Sequence, residues 1–533
     1  MDFRGLIKEL VGAHVGEFVV CSGARNAALV VALSRTEAIH LWQHFEERSA
    51  AFFALGRTME TELPCAIMTT SGTAAAELLP AVIEAHYQGR PVVVITADRP
   101  REFRGSGAPQ AIEQSGLFAD YVAQSFDLEF AELEKFSLKD WDKRSVVHLN
   151  VGLPEGFDAS EILGLSYDEV EKVVESVGEF NPAFPKLDLR PVIDFLQEVW
   201  QGVVVMVGGL RPADQEEVLH FLKKLNAPVI VDPDSGLQHS LRKVGLVQPE
   251  EVLHADLPGK VLRIGDVPLG RFWRDLEDLP EVEVLSITRT GFSGLARTST
   301  VVEADVGRAI RLLGEQEEIT DVLDHLRHNN ARQTLIDELV EAFPSSEPAL
   351  LREVSIYASL SGRIYLGNSM PIRLWALFAQ TQVETPEIIA NRGANGIDGQ
   401  LSTWIGATTT DAITWGVFGD LTTFYDLVAP TWLEQLKEIH PEQKRVLVII
   451  NNGGGKIFER LPRVQALEEE SKEIITQPHK RSLKGWAEWM GAHYIAVKFP
   501  EDIELDEEAD FQVLEIFPDN KETDSLFSAL SKK

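Results

Sequence analysis

Two stretches in the C-terminal third hold residues that could bind a hard cation and a diphosphate. GDLTTFYDL begins at Gly419, and IINNGGGKIF begins at Ile449. Asp420 offers a carboxylate, Asn452 an amide oxygen and Gly454 a backbone carbonyl. Such hard oxygen donors suit Mg²⁺ when phosphate oxygens complete the shell. The glycines let the backbone approach a diphosphate, and the N-terminus of the following helix attracts its charge. The plainer alternative is that Asp420 caps a helix and NNGGG is a tight turn. A third stretch, HFEERSAAFFALG (44–56), sets Glu46 and Glu47 ahead of an apolar run. Acids in a first helical turn meet the positive end of the helix dipole, which explains them without any chemistry. The other reading is that one of them is a buried carboxylate held against a cofactor.

Strands and helices must carry these residues. From 1 to about 180, strand-like FVVCS, IHLWQHF, CAIMTT and PVVVITA alternate with helical NAALVVALSR, RSAAFFALGRTM and GTAAAELLPAVIEAHY, the last read as one long helix. Continuous apolar strands between amphipathic helices predict a parallel sheet covered on both faces. A second block, about 190 to 315, repeats the theme with VVVMVGG, QEEVLHFLKKL, PVIVDPD and KVLRIGD. A third, about 352 to 533, offers RIYLGN, ITWGVFGD, RVLVIINN and FQVLEIF as strands. The charged, helical stretch 315–350 reads as a connector. The chain is too long for one core, so an α/β protein with three doubly wound parallel-sheet domains is expected. In such sheets ligands bind outside the carboxyl ends of the strands, where the residues above lie.

Composition narrows the partners. Fifty Lys and Arg stand against 83 Asp and Glu, a formal charge of −33. That surface repels nucleic acid and anionic membranes, and makes any local arginine cluster informative. Two cysteines, Cys21 and Cys65, exclude a disulfide framework or a zinc-ribbon array and fit a reducing compartment. The start, MDFRGLIKEL, has no signal-peptide pattern, and the longest apolar runs fall far short of the ~20 residues of a membrane helix. A cytoplasmic protein is expected. The histidines are scattered, with no HExxH. His44, close to Glu47, reads as a satisfied structural residue, and His325 and His328 as exposed on the connector.

A Gly-Asp followed some thirty residues later by Asn-Asn resembles the diphosphate and metal motif of thiamine diphosphate enzymes. The resemblance implies a pyrimidine-binding domain (1–185), a central Rossmann-like domain with the helical connector (186–345) and a diphosphate-binding domain (346–533). It also makes Glu47 the acid that hydrogen-bonds the cofactor's aminopyrimidine and favours its imino tautomer, which deprotonates the thiazolium carbon. The family's local pattern is Asp-Glu-Arg, so Glu46 takes the less critical place. A dry pocket would raise the pKa of such a carboxyl group, while the cofactor carries the hard chemistry.

LGNSMPIR (366–373), ANRGANGIDG (390–399), TSGTAAAELLPAVIEA (70–85) and TADRP (96–100) resemble a narrower branch. It is the 2-succinyl-5-enolpyruvyl-6-hydroxy-3-cyclohexene-1-carboxylate synthases of menaquinone biosynthesis, and the first and third blocks carry the likeness. The middle block matches only in architecture. That branch implies decarboxylation of 2-oxoglutarate and addition of the resulting succinyl-semialdehyde unit to isochorismate, with thiamine diphosphate and Mg²⁺ or Mn²⁺. Cofactor contacts are then implied for Glu47, Ile397, Gly419, Asp420, Leu421, Thr422, Asn452, Gly454, Gly455 and Ile457, with Asp420, Asn452 and Gly454 on the metal. Both substrates are dicarboxylates, and the arginine fork matches carboxylates bidentately. Arg25, Arg99, Arg373 and Arg392, at predicted strand-end loops, are therefore expected to bind them, with Gln110 and Ser369 adding hydrogen bonds and Phe458 an apolar wall. The resemblance further implies a homodimer or homotetramer in which Glu47 reaches cofactor held by the partner subunit's Asp420 and the partner subunit's Asn452.

Two positions depart from the family pattern. CSGAR has Ser22 where the family has proline, and GAPQ has Pro109 where it has asparagine; proline removes an amide side chain and a backbone donor. Arg289 and Arg297, in TRTGFSGLAR, are further candidates that do not align. Two rivals remain at this level. An acetolactate synthase-like enzyme would need pyruvate and ignore isochorismate. A non-catalytic relative would bind cofactor tightly and consume no 2-oxoacid.

Overall fold

All strands among the described residues run parallel and fall into three sheets. The structure, a computed structural model, describes residues 1–197, 202–250, 253, 257–316, 331–360, 362–380, 387–408 and 413–531. The first sheet comprises β1 (Glu17–Val20), β2 (His40–Gln43), β3 (Cys65–Thr69), β4 (Val92–Asp98), β5 (Gln124–Glu129) and β6 (Val147–Gly152), in the order β2-β1-β3-β4-β6-β5. The second comprises β7 (Val203–Val207), β8 (Val229–Val231), β9 (Lys260–Ile264), β10 (Glu283–Thr288) and β11 (Thr300–Glu303), ordered β11-β10-β9-β7-β8. The third comprises β12 (Arg363–Leu366), β13 (Glu387–Ile389), β14 (Thr414–Gly419), β15 (Arg445–Ile450), β16 (His493–Val497) and β17 (Phe511–Ile516), ordered β13-β12-β14-β15-β17-β16. This is the three-sheet α/β architecture of thiamine diphosphate enzymes.

In each sheet the chain starts near the middle and winds both ways, which creates a switch point between two strands. Those points lie between β1 and β3, between β7 and β9, and between β12 and β14. Close approach marks all three; in the middle sheet a Cβ on Gly208, after β7, would stand 2.1 Å from the Asp266 carbonyl, after β9. A Cβ on Gly23, after β1, would stand 2.6 Å from the Thr70 hydroxyl, after β3. One on Gly367, after β12, would stand 2.9 Å from the Val417 carbonyl.

The strands not anticipated from apolar runs include β5, β11, β13 and β16, which form sheet edges. They are short or half-exposed, so their hydrophobic signal is weak: β13 is only Glu-Ile-Ile, and β16 is mostly accessible. The stretch GTAAAELLPAVIEAHY is not one long helix. It forms Thr73–Ala76 and Leu79–Gln88, with Pro80 in the first turn of the second, where its missing N–H costs nothing. The connector breaks too. Helices Ala331–Ala342 and Glu347–Ala358 are separate, Ser346 capping the second through the Ala349 N–H at 3.3 Å. His325 and His328 lie outside the described residues.

Two compact units result, and they do not follow the sheets one to one. One holds Met1–Ala183 with Gly393–Thr409 and Tyr425–Pro441; the other holds Phe184–Arg392, Thr410–Phe424 and Glu442–Lys533. Within the first, helix Gln400–Gly406 lies against helix Glu47–Thr61. A Cβ on Gly56 would fall 2.3 Å from the Thr403 carbonyl, and one on Gly406 2.5 Å from the Phe53 carbonyl. Two glycines thus set that close crossing.

Candidate active site

In the first unit, Glu46 and Glu47 divide their work. Glu46 is the N-cap of helix Glu47–Thr61, in extended conformation, and its Oε2 accepts the Ser49 N–H at 2.7 Å. Glu47, the next residue, has no side-chain hydrogen-bond partner among the described residues and faces a polar cavity of about 400 Å³. Thr70, Ser71, Thr73, Glu77 and Gln110 share that cavity. Desolvation raises the Glu47 pKa above its ordinary value; its own backbone N–H opposes this, while Glu46 and Glu77 push it further up. Cys21, at the end of β1, is buried near both acids, so its thiol is driven up, first by burial and then by Glu47 and Glu46. His44 is structural, as expected. Nδ1 bonds the Glu46 backbone N–H at 3.1 Å, Nε2 bonds Thr431 Oγ1 at 2.9 Å, and the ring stacks on Trp432.

Gln110 enters this cavity in a left-handed conformation (φ +55°) against Gly72, whose Cβ would lie 3.1 Å from the Gln110 Cα. Buried Gln114 fixes that corner. Its Oε1 accepts the Gly72 N–H, and its Nε2 donates to the Ala97 carbonyl and Asn150 Oδ1. Arg25 and Arg99, from loops after β1 and β4, meet on one carboxylate: Glu155 Oε1 accepts Arg25 Nη2 at 3.0 Å and Arg99 Nη1 at 2.8 Å. These two arginines hold the exposed Glu155 carboxyl below its usual range. Pro109, the departure in GAPQ, still contributes its carbonyl, which accepts Arg99 Nε at 3.0 Å. Ser22 is exposed. Ile397 is half-buried in its loop, which closes at Gly399 (φ +62°).

In the second unit, Ser369, Arg373 and Arg392 group together. Ser369 carries positive φ (+72°), a strained conformation for serine. Its carbonyl, rather than its hydroxyl, is engaged, accepting Arg373 Nη1 at 2.6 Å. Arg392 Nη1 donates to Asn368 Oδ1 at 3.0 Å. Burial, with Arg392 and Arg274 nearby, lowers the Arg373 pKa to about 10. Among the described residues, no carboxylate lies within ion-pair distance of Arg373 or Arg392, so both keep capacity for an incoming anion. Their background charge comes from Asp232 and Asp234, buried after β8. Burial and mutual repulsion raise Asp232; burial and Asp266 raise Asp234; Arg392 opposes both. Sequence reasoning missed these acids and Arg274. Arg289 and Arg297 serve the middle sheet's own loops, through Asp305 Oδ2 and the Val282 carbonyl respectively.

The Gly-Asp and Asn-Asn-Gly-Gly motifs meet at neighbouring strands β14 and β15. Asp420 Oδ2 accepts the Gly453 and Gly454 N–H groups at 2.9 and 3.0 Å and lies 3.1 Å from His479 Nε2. Oδ1 accepts the Leu421 N–H at 2.6 Å. Gly453 and Gly454 take φ of +87° and +134°, which other residues rarely adopt. Thr422 is buried, and Gly419 and Leu421 are half-buried beside Asp420. Gly455 packs on Phe458, which is itself exposed, while Ile457 leans on the third sheet's core. Two residues escaped the sequence reading: His479, and Glu347 from the supposed connector. Glu347 Oε2 accepts Asn452 Nδ2 at 3.2 Å; burial raises its pKa to about 7 despite that bond. No local pattern signals either residue.

The donor chemistry fits a divalent cation finished by phosphate. Asn452 Oδ1 is buried with no partner, beside the Asp420 carboxylate. No group of three or more His, Cys, Asp or Glu among the described residues could hold a metal unaided, so amide, carbonyl and ligand oxygens must complete the shell. Asp420 Oδ2 must then exchange N–H donors, including His479, for the cation.

A carboxylate left unpaired over a polar cavity, and a Gly-Asp strand end clasping an Asn-Asn-Gly-Gly turn, are the fittings of a thiamine diphosphate enzyme. Residues 3–117 match the family described as "Thiamine pyrophosphate enzyme, N-terminal TPP binding domain". The chain is 44% identical over 527 residues, 98% of its length and 97% of the relative's, to 2-succinyl-5-enolpyruvyl-6-hydroxy-3-cyclohexene-1-carboxylate synthase of Akkermansia muciniphila. It is 36% identical to the synthase of that name from Bdellovibrio bacteriovorus, again covering 98% and 97%. For that from Bacillus pumilus the identity is 31%, covering 88% and 85%. The chain belongs to the 2-succinyl-5-enolpyruvyl-6-hydroxy-3-cyclohexene-1-carboxylate synthase family. Among the described residues no helix is long and apolar enough to cross a membrane.

Proposed function

We propose that the protein decarboxylates 2-oxoglutarate and joins the succinyl-semialdehyde unit to isochorismate, giving 2-succinyl-5-enolpyruvyl-6-hydroxy-3-cyclohexene-1-carboxylate for menaquinone biosynthesis. Thiamine diphosphate and Mg²⁺ are its cofactors, with Mn²⁺ as a substitute metal. The observation that carries this reading is the Glu47 carboxyl group, unpaired, partly desolvated and raised in pKa beside a polar cavity. Such a group is suited to share a proton with a ring nitrogen.

When bound, thiamine diphosphate supplies the carbanion chemistry that decarboxylation and carbon–carbon bond formation need. The chain's residues do the rest. Glu47 holds a proton at the pyrimidine edge. Asp420, Asn452 and the Gly454 carbonyl hold the metal, and the turn of Gly453 to Gly455 admits the diphosphate. Gly419, Leu421, Thr422, Ile397 and Ile457 line the cofactor. Arg25, Arg99, Arg373 and Arg392 bind substrate carboxylates, with Gln110, Ser369 and Phe458 beside them. In the first unit, substrate would take over guanidinium donors now engaged by Glu155.

The domain limits we assign are 1–185, 186–345 and 346–533. The active unit is at least a homodimer, with Glu47 reaching cofactor held by the partner subunit's Asp420 and the partner subunit's Asn452. The test is isochorismate consumption with 2-oxoglutarate, thiamine diphosphate and Mg²⁺, beside a Glu47→Gln control. Consumption that requires every component and vanishes in the control is expected. A wild-type protein that binds cofactor yet consumes no isochorismate would refute the assignment.

A further inference from the structure

Glu84 lies on helix Leu79–Gln88, inside TSGTAAAELLPAVIEA, and is buried. A glutamate that merely favoured the helix would face water. Here Oε1 accepts the Gly393 N–H and Oε2 the Ala394 N–H, both at 2.7 Å, and Gln88 Nε2 adds a third donor to Oε1 at 2.6 Å. Burying a carboxylate is costly unless such bonds offset it, so the arrangement is specific. The chain also passes close above the helix. A Cβ on Gly393 would lie 2.6 Å from the Glu84 carbonyl oxygen and 3.0 Å from the Tyr87 Cβ. One carboxylate therefore grips two successive amides of ANRGANGIDG, and at the first of them, Gly393, a side chain would collide with the helix.

We propose that Glu84 is a positioning residue for substrate: its clamp on the Gly393 and Ala394 amides fixes the loop that carries Arg392. The gripped amides directly follow Arg392 in the chain. Without them, a loop containing Gly393, Ala394, Asn395 and Gly396 has little side-chain packing to define its path, and Asn395 is already in a left-handed conformation (φ +62°). A carboxylate-binding arginine is effective only when its fork is held in place. The clamp also gives a physical reason for two motifs far apart in sequence to occur in one chain.

The role in substrate binding rests on the dicarboxylate reading above; the clamp itself does not, and the experiment separates the two. Glu84→Gln keeps the size of the side chain but replaces one acceptor oxygen with an NH₂ group. Amide hydrogen exchange at Gly393 and Ala394, measured on the holoenzyme without substrate, should accelerate about tenfold or more. KM for 2-oxoglutarate should rise about tenfold, while kcat and the cofactor dissociation constant stay within about threefold. Gly393→Ala, which pushes the same contact apart from the other side, should reproduce the KM effect and serves if Glu84→Gln fails to fold.

Unchanged exchange in Glu84→Gln would show that there is no clamp. Faster exchange with an unchanged KM would leave Glu84 a structural residue and overturn the positioning role. So would a uniform loss of cofactor affinity and thermal stability. A wild-type enzyme inert on both dicarboxylates would overturn the substrate reading, and the positioning role with it, while exchange still reports whether the clamp exists.

Discussion

Adjacent glutamates with opposite jobs make a sharp experiment. Glu46 holds the Ser49 N–H and closes the start of helix Glu47–Thr61. Glu46→Ala removes that cap, a loss of about 1 kcal/mol. In a unit of this size that lowers the thermal midpoint by about 2–4 °C. Turnover should fall by no more than about threefold, because the capped helix is long and mostly buried and would keep its place by packing. Glu47→Gln removes no side-chain hydrogen bond. Its carboxyl group is raised in pKa by burial, Glu46 and Glu77, so the folded state disfavours its ionised form.

A raised carboxyl group contributes stability that is complete below the ordinary glutamate value, about 4.5, and is lost as pH rises through the folded value. Glu47→Gln should therefore melt no lower than wild type at pH 8, and its advantage should shrink towards pH 4. Turnover should nevertheless vanish. The assay pairs thermal unfolding of the apoprotein at the two pH values with isochorismate consumption. If Glu47→Gln destabilised the fold as Glu46→Ala does, or if Glu46→Ala abolished turnover while Glu47→Gln kept it, the division of labour would be refuted.

Further outcomes follow from the same geometry. Asp420→Ala should weaken Mg²⁺-dependent binding of thiamine diphosphate by more than the about 10–100-fold typical of outer-shell partners; an unchanged cofactor titration would remove the metal assignment. Arg392→Ala should raise KM for 2-oxoglutarate about 10–100-fold, the worth of a charge-assisted hydrogen bond, with cofactor affinity intact by the same titration. Gly399→Ala should destabilise by about 2–4 kcal/mol in denaturant, because its φ is +62° and a Cβ would overlap Phe52 at 1.8 Å. Buried Asp426 is raised to about 6 by burial, against hydrogen bonds from Ser402. It costs the fold on the order of 2–3 kcal/mol once pH exceeds that value. Asp426→Asn should accordingly flatten the fall in stability between pH 4 and pH 8, as read from urea midpoints.

Residues that announce themselves in sequence do so through glycine or long apolar runs. Gly453 and Gly454 stand out because backbone conformation demands them, and their turn meets Gly419-Asp420 at an adjacent strand end. Arg25 and Arg99 were legible as strand-end cations; that Glu155 links them was not, because the contact spans 130 and 56 residues. Glu347 was hidden in a charged helical stretch whose charge pattern says nothing about which side chain turns inward. Asp232 and Asp234 passed unremarked within PVIVDPD, one segment of the middle block, and became informative only when found buried. Edge strands such as β13 escaped because half-exposed strands need no apolar run.

The first and third sheets are one frame used twice. Numbered from its own first strand, each has the order 2-1-3-4-6-5. The segments after the first strands carry Arg25 and, inside helix Met370–Phe378, Arg373; those after the second, Glu47 and Arg392; after the third, Thr70–Thr73 and Asp420; after the fourth, Arg99 and Asn452. The middle sheet, ordered 2-1-3-4-5, also ends its first strand in a glycine pair, Gly208 and Gly209, at its switch point. That is where a doubly wound sheet would take a diphosphate. Here a Cβ on Gly209 would stand 2.7 Å from Asp234 Oδ2 and 2.9 Å from Asp266 Oδ2. The space left by the missing side chain is filled by two carboxylates, which would repel an anion. In the third sheet the glycine turn lies elsewhere, after the fourth strand, where the Gly453 and Gly454 N–H groups meet Asp420 beside a buried amide oxygen without a partner. On the function proposed above, the diphosphate goes to the third sheet's glycine turn, and the two carboxylates at Gly209 disfavour the middle sheet's. Replacing Asp234 and Asp266 with asparagine should not weaken thiamine diphosphate binding, and a large loss of affinity in that double variant would place the cofactor in the middle sheet instead.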